Sequence, residues 1–171
     1  GAPLVAAMLE EIIVRGCRKF IACGSSGALE SQLQMGHIIV PTAAIRDEGT
    51  SFHYQPASRE IVPDEEAQNA IRETLASHEI PFESGKTWTT DAIFRETREK
   101  VERRKAEGCV CVDMEAAALW AVAKFRNVPF GQFLYAGDDV GSEAWSSRGF
   151  HGATHIRRQL LEHAIEACWK L

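Results

Sequence analysis

No stretch of this sequence approaches the run of about 18 apolar residues that crosses a bilayer as a helix. No cluster of lysine and arginine marks a surface for nucleic acid or anionic lipid, and the formal charge is −5. CxxC pairs are missing too. Five cysteines, an odd number, stand at positions 17, 23, 109, 111 and 168, and no histidine lies at cluster spacing from them. That argues against a metal site and for reduced, small apolar side chains in a cytoplasmic protein. The opening GAPLVAAMLEEIIVRGCRKF lacks a basic leader, and acids interrupt its apolar stretch, so it reads as an amphipathic helix rather than a signal peptide. Neither the Gly-Lys-Ser/Thr of a Walker loop nor the G-x-G-x-x-G of a dinucleotide fold occurs. Repeats and low-complexity linkers are also absent, and 171 residues suit one domain.

What is present alternates helical and strand-like segments. Leu4, Val5, Met8, Leu9, Ile12 and Ile13 recur with a 3.6-residue period and predict a helix over 3–15, which Gly16 ends. KFIAC (19–23) reads as a buried strand, GSSGAL as a small-residue loop, and IIVP (38–41) as a strand closed by Pro41. The polar run around Gly49 shows strand character near Phe52 and Tyr54. Pro63 and Asp64 open a helix with an acidic first turn. Strands follow at 81–88, 110–112 and 128–136, helices at 98–108, 114–125 and 153–170, and a long loop at 137–152. Such alternation predicts an α/β fold: a mostly parallel central sheet between helical layers.

Three segments follow strands, where open α/β sheets gather ligands. Gly24-Ser25-Ser26-Gly27 is either a tight turn or a backbone cradle for an anion. In Val112-Asp113-Met114-Glu115, both acids are explained by helix capping and the helix dipole. Alternatively, Glu115 grips a vicinal diol with its two acceptor oxygens while Met114 packs on a sugar. Gly137-Asp138-Asp139 is either an acidic surface turn or a converging pair in which repulsion keeps one Asp protonated as a general acid.

These segments, with MGHIIVPTAAIRDEGTSFHY at 35–54 and TWTTDAIFRET at 87–97, resemble the nucleoside phosphorylase family. That family includes hexameric-type purine phosphorylases, uridine phosphorylases and adenosylhomocysteine nucleosidases. DMEAAA is a fairly specific element, whereas GSSG by itself is not. The likeness implies a three-layer phosphorylase/hydrolase-like fold over residues 1–171, lacking the family's N-terminal part. It implies phosphorolysis of a purine nucleoside or uridine with inorganic phosphate as co-substrate, no cofactor, and a homodimer or hexamer. By resemblance, Ser25 and Gly27 belong to the phosphate loop. Met114 and Glu115 hold the ribose, with Asp113 beside them, and Asp138 protonates the departing purine. Thr90 matches a family turn, and Phe94 stands beside Ile93, where relatives place a base-stacking Phe.

Departures keep alternatives open. The family's phosphate Arg in the strand before GSSG matches Ala22, and Arg46 is the replacement on offer. Thr97 and Glu99 stand where uridine phosphorylases recognise uracil, and Arg148 lies far beyond the acidic pair. A nucleosidase using water, or an inactive, truncated relative with a structural role, fits the same residues. All functional readings require Glu115 to face a cavity shared with the serine loop and Asp138.

Overall fold

The computed structural model describes all 171 residues. Its first helix, α1 (Ala2–Val14), has proline in its first turn, where a missing N–H costs nothing. The apolar face expected of α1 is divided. Ala2, Ala6, Leu9 and Ile13 are buried, whereas Leu4, Met8 and Ile12 face outward.

Six strands and four more helices follow: β1 (Phe20–Ala28), β2 (Ile38–Asp47), β3 (Glu60–Ile61), α2 (Glu65–Ser77), β4 (Phe82–Thr90), α3 (Arg98–Ala106), β5 (Cys109–Asp113), α4 (Ala116–Arg126), β6 (Phe130–Asp139) and α5 (Thr154–Lys170). The sheet order is β3-β2-β4-β5-β1-β6, and β2 also pairs with β6, so the sheet curls back on itself. The long pairings β1/β6, β2/β4 and β4/β5 are parallel; β1/β5, β2/β3 and β2/β6 are short and antiparallel. The expected mixed, mostly parallel sheet between helices is present.

Helices α1 and α4 bury Leu9, Ile13, Trp120 and Val122 together with Phe130. On another side, Ile71 and Leu75 of α2 meet Leu160 and Ala164 of α5 over Phe133 and Tyr135. Val101 of α3 joins Ile45, Trp88 and Val112. Each fully buried large side chain contributes about 1.5–3 kcal/mol relative to exposure. Of the aromatic residues near α4 and β6, only Phe125 stays largely exposed.

Several boundaries differ from expectation. GSSG is not a loop: β1 continues through it, because its small residues fit between two neighbouring strands. Pro41 lies inside β2, where a register shift between Pro41 and Ala43 absorbs its missing N–H. The stretch Thr50–His53 is a 3₁₀ turn rather than strand. Strand β6 runs on through Asp139. All five cysteines are free thiols, and burial pushes Cys109 and Cys111 up to about 12.

Candidate active site

The C-terminal ends of β5, β1 and β6 lie side by side. Gly27 of β1 pairs with Val112 of β5, and on its other edge Ser26 pairs with Ala136 of β6. Between Ser26 and Ala28 the β1/β6 ladder slips by one residue, because Ser26 faces Ala136 but Ala28 faces Asp139. Gly27 therefore stands against both Gly137 and Asp138. Such slips re-aim side chains. A Cβ on Gly27 would lie 2.7 Å from Val140 Cγ2, 2.9 Å from Val112 Cγ1 and 3.4 Å from Asp138 Oδ1.

Around these ends opens a cleft of about 770 Å³. Ser25, Gly27, Phe94, Asp113, Met114, Glu115 and Asp138 all line it. Thr90 does not: its side chain is buried, and its hydroxyl accepts the Ala92 N–H at 3.3 Å. Thr97 lines the cleft, whereas Glu99 does not. Ile93 and Phe94 sit on a 3₁₀ turn (Ile93–Arg95), and Phe94 is 95% exposed at the cleft wall.

Asp113 is anchored within the protein. Oδ1 accepts the hydroxyls of Thr87 (3.1 Å) and Thr89 (2.8 Å), and Oδ2 accepts the N–H groups of Glu115 (2.9 Å) and Ala116 (2.6 Å). Thr89 also accepts the Ala117 N–H at 3.1 Å. Both oxygens of Asp113 are thus engaged by protein donors, and two of these donors are N–H groups at the start of α4, as helix capping requires. Burial lifts its carboxyl to about 6, against the pull of those donors. Glu115, fixed one step beyond, points a partly exposed carboxylate into the cleft, with Oε1 2.8 Å from the Gly1 nitrogen. The condition that Glu115 share a cavity with the serine loop and Asp138 is met.

The two adjacent aspartates do not converge. Successive residues of β6 point to opposite sides. Asp139 accepts from Ser142 N (3.0 Å) and Oγ (2.8 Å) and pairs with Arg148. Burial raises its pKa, but these partners outweigh burial and hold it below the usual carboxylate range. Backbone bonds between Asp139 and Ser146 fold the segment 140–145 back on itself. Gly141 permits this path, since a Cβ there would lie 1.8 Å from the Leu29 carbonyl oxygen. The returning loop brings Trp145 to the cleft, where its indole N–H donates to Asp138 Oδ2 at 2.7 Å.

The carboxyl that Asp138 does perturb is Glu96. Burial first, then the charge of Asp138, raises Glu96 to about 7. Sequence reasoning passed over both Glu96 and Trp145. Glu96 lay in an ordinary charged run, and a lone tryptophan in a long loop carries no spacing signal. Arg46, the proposed stand-in for a phosphate arginine, is not in the cleft. Its guanidinium bonds Ser51 Oγ (2.9 Å), Pro56 O (2.7 Å) and Ser58 Oγ (2.7 Å), pinning the loop after β2. Arg98, the one arginine lining the cleft, donates to Gly141 O at 2.8 Å. Arg98 and His151 are the basic residues of a lining that includes five carboxylates: Glu96, Asp113, Glu115, Asp138 and Glu143.

Comparison with known proteins agrees with this architecture. A guanosine phosphorylase of Halorubrum lacusprofundi is 28% identical over 150 residues, covering 84% of this chain and 62% of its own length. A uridine phosphorylase of Treponema pallidum is 26% identical over 179 residues, covering 98% of this chain and 68% of its own. Among solved structures, an AMP nucleosidase from Bacteroides thetaiotaomicron superposes with a TM-score of 0.77 at 23% identity, covering 95% of this chain and 64% of the other. A P. knowlesi homologue of P. falciparum PNP gives 0.80 at 22%, with 95% and 66% covered. These two likenesses show the fold. The chain thus spans about three fifths to two thirds of the length of these relatives. The family model described as the phosphorylase superfamily matches residues 1–167, and with the fold and the cleft in agreement, the chain belongs to that superfamily.

Proposed function

We propose that the cleft binds a nucleoside and serves phosphorolytic cleavage of its glycosidic bond. The observation carrying this reading is that Ser25, Met114, Glu115 and Asp138, from three hydrogen-bonded strand ends, line one cavity. Glu115 accepts the ribose hydroxyls beside Met114. Its charge favours the cationic sugar that forms as the C–N bond stretches. The base departs with the bonding electrons and takes a proton delivered through Asp138, which Trp145 holds by the other oxygen; the proton comes from the neighbouring Glu96 carboxyl, which keeps it up to about pH 7. A phosphate oxygen at Ser25 bonds to the anomeric carbon, giving free base and pentose 1-phosphate. No cofactor is needed for these steps. The reading favours a purine, because a proton donor at Asp138 suits a purine ring nitrogen. The guanosine phosphorylase of Halorubrum lacusprofundi is compatible with that preference.

A second reading, hydrolysis by water, draws on the acid-rich lining and on Ala22, which supplies no phosphate arginine. Incubating the protein with inosine, adenosine and uridine, with and without phosphate, distinguishes the two. Phosphate-dependent base release is expected. Equal release without phosphate favours hydrolysis, and no release from the folded protein overturns both.

Homo-oligomerisation belongs to the same proposal. Leu4, Met8 and Ile12 form an exposed apolar row along α1 at helical spacing, as a buried subunit contact requires. Sedimentation of a dimer or hexamer is expected, and a monomer at micromolar concentration argues against it. A cytoplasmic location is inferred from the free thiols; no helix is long and apolar enough to cross a membrane.

A further inference from the structure

Far from the β5-β1-β6 strand ends in sequence, three potential metal ligands meet where α2 ends against α5. His78 is the residue that caps the C-terminus of α2. His163 and Glu166 are three residues apart on α5, on one face of that helix. One ligating atom from each of the three lies within 4.8 Å of the others. His78 Nε2 is 2.6 Å from Glu166 Oε2, and the two imidazole rings are 4.9 Å apart, centroid to centroid. The backbones beneath are held by Ile71, Leu75, Leu160 and Ala164, so packing fixes the distance between the helices independently of these polar side chains.

We propose that His78, His163 and Glu166 bind a divalent transition ion of the zinc type. Two imidazoles and a carboxylate are a borderline-soft donor set that zinc accepts, with bonds of about 2.0–2.2 Å. A tetrahedral ion with such bonds spaces its ligand atoms about 3.4 Å apart. Small rotations of half-exposed side chains take the observed group to that spacing. The fourth position is left to water. Lys170 Nζ, 3.3 Å from Glu166 Oε1, neutralises the oxygen that the ion does not need. The ion would join the end of α2 to α5 and stabilise the folded chain by mass action. No step at the cleft passes through this ion.

The test uses the untagged full chain, stripped with EDTA and dialysed, titrated with zinc chloride by calorimetry and followed by thermal melting. One zinc per chain is expected, with a rise in Tm that EDTA reverses. His78→Ala and His163→Ala should each weaken binding at least about tenfold, the scale on which even supporting residues affect metal sites. Glu166→Gln, which preserves side-chain size, should weaken it as well and decides the matter if a histidine variant folds poorly. His155→Ala, on the same helix but outside the group, should bind as wild type. Absence of saturable binding overturns the proposal. So does binding unchanged by Glu166→Gln and the folded histidine variants, or a Tm that falls with zinc.

Discussion

The indole of Trp145 donates its only hydrogen bond to Oδ2 of Asp138, at 2.7 Å, although the Trp145 residue is 63% exposed. An otherwise solvent-facing ring is thereby fixed over the cleft, and one carboxylate oxygen is occupied while the other stays available. Trp145→Phe retains an aromatic ring but removes the donor. A hydrogen bond to a charged group is worth about 1.5–3 kcal/mol when shielded, and less at this exposure. The expected result is a fall in kcat of about tenfold, or about 1.4 kcal/mol, with KM little changed. Steady-state base release reports it, with circular dichroism confirming the fold.

Glu115→Gln replaces one sugar acceptor by a donor and removes the charge. Loss of a charge-assisted bond to a ribose hydroxyl lowers kcat/KM by about 10- to 100-fold. The effect should be larger for a ribonucleoside than for its 2′-deoxy counterpart, because the deoxy sugar makes only one of the two bonds. Equal losses on both substrates would place the carboxylate away from the diol.

Glu96 stores its proton in the folded state, its pKa raised from 4.5 to about 7 by burial and then by Asp138. A carboxyl raised on folding binds protons more tightly than the unfolded chain does. Its contribution is therefore full below about pH 4.5 and is lost as pH climbs through 7. Asp113, raised to about 6, acts with the same sign at lower pH. Urea midpoints of Glu96→Gln should thus decline less than those of wild type between pH 5 and 7; Asp113 titrates in both proteins, and its contribution is common to the two curves. Parallel curves would contradict the assignment.

Asp113→Ala removes the acceptor for two hydroxyls and two backbone N–H groups at once. Stranding buried donors costs about 3 kcal/mol in total, which at this chain length lowers Tm by about 6–12 °C. Asp113→Asn keeps one acceptor oxygen and should lose about half as much. Differential scanning calorimetry measures both, and an unchanged Tm would rule out the capping role.

At Gly27 there is no room for a methyl group, given the contacts of 2.7 and 2.9 Å that a Cβ would make with Val140 and Val112. Gly27→Ala should cost about 1–3 kcal/mol of overpacking and displace Asp138. Stability and kcat are expected to fall together, in contrast to Trp145→Phe, where only kcat falls.

Much of the helical layer was legible because helices announce themselves. Asp64 does accept the Ala67 N–H at the start of α2, and the DMEAAA run does mark the passage from β5 to α4. Strand boundaries were less legible where composition misleads. Glycine and serine in β1 resemble a turn, but two neighbouring strands hold them extended. Proline in β2 resembles a terminator, but a register shift accommodates it. The gathering of Ser25, Glu115 and Asp138 followed from a rule about strand ends. The attachments of Asp139 to Ser142 and Arg148, and of Trp145 to Asp138, depend on how one loop folds back, which no local periodicity encodes.

Because β1 lies between β5 and β6 at the cleft, the residues assigned to sugar, phosphate and base stem from one continuous amide ladder rather than from separate mobile loops. Breathing of a single segment cannot draw them apart. Deuterium uptake at Val112 should therefore track complete denaturation, while the tryptophan-bearing return loop exchanges far sooner. Heating such a protein would free the Trp145 indole from Asp138 before it separated the three strand ends.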